Sequence, residues 1–130
     1  MEHVGADPRT VAVAYIEATG RKQFDRVADL LHPELKAWTG GKAFNRDEWV
    51  TALRQFGPIL VRNEIRQTIV DRGQVCVIYD FVTDTAVGAV PCVELLEIEE
   101  GMIRSVRLVF EFEHWPEVMA ELRRRTSTAT

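Results

Sequence analysis

Val75-Cys76-Val77-Ile78-Tyr79-Asp80-Phe81-Val82-Thr83, followed after a turn around Thr85 to Gly88 by Val90-Pro91-Cys92-Val93-Glu94-Leu95-Leu96-Glu97-Ile98, decides the architecture of this chain. β-Branched and aromatic residues dominate both runs and turn-forming residues bound them, so they read as neighbouring strands. The first alternates Val75, Val77, Tyr79 and Phe81 with Cys76, Ile78, Asp80 and Val82. A sheet wetted on one side would carry polar residues at every second position. Both faces are apolar here, so something covers the second face, and a homodimer packed sheet against sheet is the economical expectation.

Two further strands flank this pair, about Val61 to Val70 and Ile103 to Phe112, joined to it by the hairpin-length separators Asp71-Arg72-Gly73 and Glu99-Glu100-Gly101. Upstream the period is helical. Asp7-Pro8 starts a first helix that runs to Thr19 and is stopped by Gly20, with Val11, Ala12, Tyr15, Ile16 and Ala18 on its inward stripe. Phe24, Val27, Ala28 and Leu31 mark a second, ended by His32-Pro33. Leu35 to Thr39 is a short strand before the Gly40-Gly41 break. Asn45 and Glu48 then form a capping box for a third helix with the stripe Trp49, Ala52, Leu53 and Phe56, stopped at Gly57-Pro58. A last helix spans about Pro116 to Arg125, and residues 126–130 read as a frayed tail. Helices first and strands after give an α+β fold, a curved antiparallel or mixed sheet closing like a cone over three leading helices.

A chain of 130 residues with 46% hydrophobic and 28% charged residues has the composition of one soluble globular domain. Its 16 basic and 20 acidic residues leave a net charge of −4, which supplies no positive field for a nucleic acid. No apolar run approaches the roughly 20 residues of a membrane span, and Met1-Glu2-His3-Val4 lacks the order of a secretory signal, so a cytoplasmic location is expected. Cys76 and Cys92 lie in apolar strands and read as buried free thiols. His3, His32 and His114 are scattered outside any metal-ligand spacing, so neither a metal nor another cofactor is expected.

The order of elements, from Val11-Ala12-Val13-Ala14-Tyr15-Ile16-Glu17-Ala18 to Gly101-Met102-Ile103-Arg104-Ser105-Val106-Arg107-Leu108-Val109-Phe110, resembles the nuclear transport factor 2-like superfamily, which includes the SnoaL-like proteins and ketosteroid isomerase. Tyr79-Asp80-Phe81-Val82-Thr83 and Val90-Pro91-Cys92-Val93-Glu94 are similar to bacterial SnoaL-like members. The resemblance implies a cavity between the first helix and the concave sheet face. Aligned with ketosteroid isomerase, Tyr15 falls at its oxyanion-hole tyrosine and Glu94, with one residue of slack, at its protonated oxyanion-hole acid. A carboxyl group enclosed by apolar walls keeps its proton to a higher pH, and with a phenol beside it can stabilise charge developing on a substrate oxygen. Departures limit the analogy. Thr39 stands where the isomerase has its basic carboxylate, and Leu108 where limonene epoxide hydrolase needs an acid; scytalone dehydratase would call for a histidine pair, whereas only His114 is near a rim.

Each candidate has a plain structural reading beside the functional one. Tyr15 is an oxyanion donor or a core tyrosine, and Glu94 a cavity acid or an outward glutamate. Asp80 is a general base only if a bulge turns it inward; alternation otherwise sends it to the face opposite Tyr79 and Phe81. His114 is an acid/base at the cavity mouth or a surface residue at a helix start. Trp38, Trp49 and Phe56 are expected to wall the cavity from the helical half, and Val77, Tyr79, Phe81, Leu108 and Phe110 from the sheet. The expected function is cofactor-free acid/base chemistry of isomerase, cyclase or dehydratase type on an apolar or aromatic oxygenated molecule. The alternative is a ligand-binding or dimerisation module without catalysis.

Overall fold

The computed structural model describes residues 7–128, so the Met1 to Val4 terminus and the last two residues lie outside it. Helix α1 (Pro8–Gly20) and the short α2 (Phe24–Leu30) lead into β1 (Leu31–Thr39) and β2 (Lys42–Phe44), then α3 (Arg46–Arg54). The long strands β3 (Leu60–Asp71), β4 (Gln74–Thr83), β5 (Ala89–Glu99) and β6 (Met102–Phe110) follow, and α4 (Trp115–Thr128) ends the described chain. The six strands form one mixed sheet in the order β2-β1-β6-β5-β4-β3. Its β1–β6 pair is parallel and the others are antiparallel. Helices on a curved mixed sheet make the α+β cone that the strand and helix periods imply.

Local chemistry accounts for most boundaries. The Asn45 side chain accepts from the Glu48 amide and the Glu48 carboxylate from the Asn45 amide, closing the capping box at the start of α3. Gly40 and Gly41 both have positive φ, so β1 turns straight back into β2 through a two-residue hairpin, where a simple break is expected from sequence. Gly20 does not end α1 by adopting a left-handed conformation; Lys22 does, at φ 61°. A Cβ on Gly20 would instead lie 2.5 Å from the Asn63 amide nitrogen, so glycine lets the last turn of α1 press onto β3. Pro33 lies within β1, which begins at Leu31 rather than Leu35. α4 runs through Thr128, and Thr126 Oγ1 donates to the Leu122 carbonyl, so residues 126–128 are helical where a frayed tail is expected.

Irregularities in strand register bend the sheet. In β3, Val61 and Arg66 are each inserted without a partner on β4, and such bulges raise twist and curvature. The concave face packs on α1, α2 and α3 through a core that includes Ile16, Val27, Leu35, Val77, Leu96 and Val106. A second, smaller core of Ile59, Val90, Val118 and Leu122 holds α4 against the open end of the cone. Phe81 and Phe110 touch both clusters, and the space between the two cores is the cavity described next.

Candidate functional site

Inward alternation on β5 turns Val90, Cys92, Glu94 and Leu96 to the concave face, and on β4 Val75, Val77 and Tyr79. Glu94 pairs with Val77 and Cys92 with Tyr79, so Tyr79 and Glu94 are diagonal neighbours across the β4–β5 ladder. The inward stripe of α1 sets Tyr15 over Glu94, and α3 brings Trp49 against Tyr15. Four polar side chains therefore converge in an otherwise apolar interior. Trp49 Nε1 donates to the Tyr15 hydroxyl at 2.9 Å, Tyr15 donates to Glu94 Oε2 at 2.8 Å, and Tyr79 donates to Glu94 Oε1 at 2.6 Å. Tyr15 is 1% exposed, Glu94 2% and Tyr79 5%.

Burial governs the charge of this cluster. Loss of hydration pushes the Glu94 carboxyl up to about 7, against the opposing pull of the Tyr79 and Tyr15 hydrogen bonds, which favour the carboxylate. Both phenols are raised well above their ordinary value, first by burial and then by the negative charge of Glu94, and so stay protonated donors. The Cys92 thiol beside them is pushed up to about 12 by burial and then by Glu94. Near neutrality Glu94 is the group in this cluster that changes charge.

A cavity of about 420 Å³ opens in front of the cluster. Tyr79, Trp49 and Cys92 form part of its wall, whereas Glu94 and Tyr15 lie behind that wall. The rest is mainly apolar, with Phe56, Phe81, Phe110 and Trp115 around the α4 end. Their rings pack edge to face or tilted, with centroids 4.5 Å apart for Phe110 and Trp115 and 5.9 Å apart for Phe56 and Phe81. A wider depression beside α2, lined by Lys22, Phe24, Arg26 and Arg54, is open to solvent and away from Glu94.

The structure brings Tyr15, Glu94, Tyr79 and Trp49 together and separates Asp80, His114 and Trp38 from them. Asp80 is on the outer sheet face, where the Arg66 guanidinium donates to its Oδ2 at 2.7 and 3.0 Å; the bulge in β3 inserts Arg66 and leaves the alternation of β4 intact. Asp80 is thus not inside the cavity. His114 is exposed at the start of α4, and its Nδ1 lies 2.9 Å from Glu117 Oε1, a hydrogen bond that raises its pKa; it is not part of the cavity wall. Trp49, Phe56, Phe81, Leu108 and Phe110 line the cavity along with Tyr79. Trp38 does not, because Ala37 takes the inward position on β1 and Trp38 turns outward beneath the Arg107 guanidinium, 4.7 Å away. Val77 is inward but sealed in the main core behind the wall. Thr39 lines the cavity and donates its hydroxyl to the Leu108 carbonyl at 3.0 Å. Cys92 is buried and inward, and Cys76 is half-buried on the outer face, so the two thiols are free and on opposite sides of the sheet.

Sequence reasoning misses Asn63, Trp115 and Met119 in the wall. The tryptophan follows an expected strand end and carries no sign of which core it enters, and Asn63 sits in a strand whose polar residues obscure its alternation. Among the described residues, no three His, Cys, Asp or Glu side chains gather as ligands for a metal ion. Among the described residues, no helix is long and apolar enough to cross a membrane.

No protein-family model and no curated protein sequence matches the chain. Solved structures do. A nuclear transport factor 2-like protein of unknown function from Cytophaga hutchinsonii superposes with a TM-score of 0.69 at 15% identity, covering 85% of this chain and 94% of that one. A ketosteroid isomerase candidate from Kribbella flavida gives 0.71 at 14% identity over 81% and 78% of the two chains. A SnoaL-like polyketide cyclase candidate from Shewanella putrefaciens gives 0.71 at 10% identity over 88% and 96%. The chain has the nuclear transport factor 2-like fold. Identities this low establish the shared fold alone. In this chain the cone's interior holds the cavity, and the buried carboxyl of Glu94 lies behind its wall.

Proposed function

We propose that the chain binds an apolar or aromatic, oxygen-bearing small molecule in this cavity and catalyses cofactor-free proton transfer on it, of the isomerase, cyclase or dehydratase type. The observation that carries the reading is the 2.6 Å hydrogen bond between Glu94, a carboxyl titrating near 7, and Tyr79, whose side chain forms part of the cavity wall. When Glu94 is ionised, Tyr79 donates inward and its oxygen can accept a proton from the ligand while passing its own to Glu94. When Glu94 is protonated the relay runs backward, and Tyr79 returns a proton to another ligand atom. The proton removed and the proton returned balance, and Glu94 is regenerated. A single group that both takes and gives suits an isomerisation better than a hydrolysis. Tyr15, fixed by Trp49, positions Glu94. The neighbouring structures described as ketosteroid isomerase-like and SnoaL-like lend support at the level of fold.

A binding module without catalysis is the second reading, favoured by one observation: no carboxylate or imidazole among the described residues forms part of the cavity wall. Tetralone, an apolar ring ketone with exchangeable α-protons, separates the two. In deuterated buffer the enzyme reading expects exchange of those protons faster than in buffer alone, rising through pH 7 as Glu94 ionises and lost in Glu94→Gln. Binding of tetralone with no exchange supports the module, and no binding of tetralone contradicts both.

The unpaired thiols fit a reducing compartment and so a cytoplasmic location. The outer sheet face supports a homodimer. Ile69, Val93, Leu95 and Val109 are 39–66% exposed on it, flanked by Arg107 on β6 and Glu97 on β5. Two-fold packing of this strip on itself would cover its apolar rows and bring acidic and basic margins together.

A further inference from the structure

Strand register puts a lysine on the inner side of the sheet. Ala37 and Thr39 face inward on β1; Phe44 pairs with Ala37 and Lys42 with Thr39, so Lys42 and Phe44 share that face while Ala43, opposite Trp38, turns away. Thr39, Lys42 and Phe44 all line the cavity, and among the described residues Lys42 carries the one formal charge in its wall. The Lys42 Nζ lies 5.9 Å from the centre of the Phe44 ring, which packs edge to face on Trp49 at 5.2 Å. No described carboxylate pairs with it. Lys42 is exposed, and Phe112, also in the wall, is 58% exposed, so the mouth of the chamber is at this end. Behind the opposite part of the wall sits Glu94. A negative group on a ligand would meet both repulsion and lost hydration there, whereas at the mouth it would meet water and a cation.

We propose that Lys42 is a specificity-determining residue of this cavity, its ammonium pairing at the mouth with the carboxylate of an amphipathic organic acid whose apolar body fills the chamber. The preferred ligand is then a lipophilic carboxylate rather than a neutral compound of the same shape. The charge also sets direction: the acid end stays at the rim with Lys42, and the far end of the molecule is the part presented to Tyr79. A hydrogen bond to a charged partner is among the stronger polar contacts, and the apolar wall offers a carboxylate no second place to go. The inference rests on the reading of this cavity as a ligand site and names the ligand chemistry that the reading leaves open.

Calorimetric titration in low-salt buffer with naphthalene-2-carboxylate and with its neutral match, naphthalene-2-carboxamide, tests it. The wild-type protein is expected to bind the carboxylate about ten times more tightly than the carboxamide. The ratio is expected to fall to about one in Lys42→Met and to persist in Lys42→Arg, which keeps the cation. Equal affinities in the wild-type protein, or a preference for the carboxamide, overturn the role of Lys42 while leaving the cavity reading intact. A preference for the carboxylate that survives Lys42→Met also overturns it. A Lys42→Met protein that binds neither compound assigns the lysine to holding the β1–β2 hairpin and overturns it as well. Failure of both compounds to bind the wild-type protein removes the cavity reading and this inference together.

Discussion

Tyr79 and Glu94 meet across the β4–β5 ladder at 2.6 Å, the phenol in the cavity wall and the carboxyl behind it. A proton can therefore pass between the apolar chamber and a buried acid without the acid being exposed to it. The Tyr15 and Trp49 hydrogen bonds hold that acid in one orientation.

Tyr79→Phe keeps the ring and removes the relay. Glu94 loses one of its two donors, so its carboxyl is expected to titrate higher than in the wild-type protein. Loss of a single well-placed donor of this kind costs on the order of 10²-fold or more in rate. Solvent deuterium exchange of tetralone and a pH titration of the Glu94 carboxyl read the two effects separately.

Burying Glu94 makes folding depend on pH with a definite sign. Its folded-state value, about 7, lies above the 4.5 of an unperturbed glutamate, so the native state holds the proton more tightly than the unfolded chain. The stability this brings is present below about 4.5 and is lost as pH rises to about 7. Relative to Glu94→Gln, the wild-type protein is expected to lose on the order of 3 kcal/mol across that window. Urea denaturation of both proteins at a series of pH values checks it; parallel profiles would contradict the assignment.

Asp80→Asn and His114→Gln are expected to leave exchange within about twofold of wild type, because both side chains are outside the cavity. Their ion pairs are at the surface, where such contacts contribute about 0–1 kcal/mol. A large loss of activity in either variant would show a proton path that bypasses Tyr79.

Gly20→Ala is expected to destabilise the fold by about 1–3 kcal/mol, since the added methyl meets the Asn63 backbone rather than a flexible side chain. Thermal unfolding measures this. A neutral result would mean that α1 can lift from β3 at no cost.

How much of this was legible before folding depends on whether a signal is local. The Asn45–Glu48 capping box, the strands and their hairpin turns follow from neighbouring residues, and Glu94 stands out as a lone acid in an apolar run. The meeting of Tyr15 with Glu94 comes from residues 79 positions apart and was expected only by way of a family resemblance. Trp38 shows the limit of alternation: in a short strand with Ala37 and Thr39 on either side, nothing local says which set faces the core. Asn63 is hidden for a related reason. The bulges at Val61 and Arg66 reset the alternation of β3, and the mixed polar and apolar order of its residues gives no hint of them.

A homodimer through the outer face is expected in solution at micromolar concentration, and Val93→Arg, placing a charge in the middle of the exposed strip, is expected to give monomers. Light scattering after size-exclusion chromatography reads both. A monomeric wild-type protein would remove the dimer.

The most direct measurement is the pH titration of the glutamate side-chain carboxyl carbons by NMR, comparing wild-type protein with Glu94→Gln to assign the signal. One carboxyl with a midpoint near 7, absent from the variant, is the expected result. If every glutamate titrates near the ordinary value of about 4.5, the acid behind Tyr79 is not held in an apolar chamber, and a proton relay that switches with its ionisation near pH 7 is contradicted.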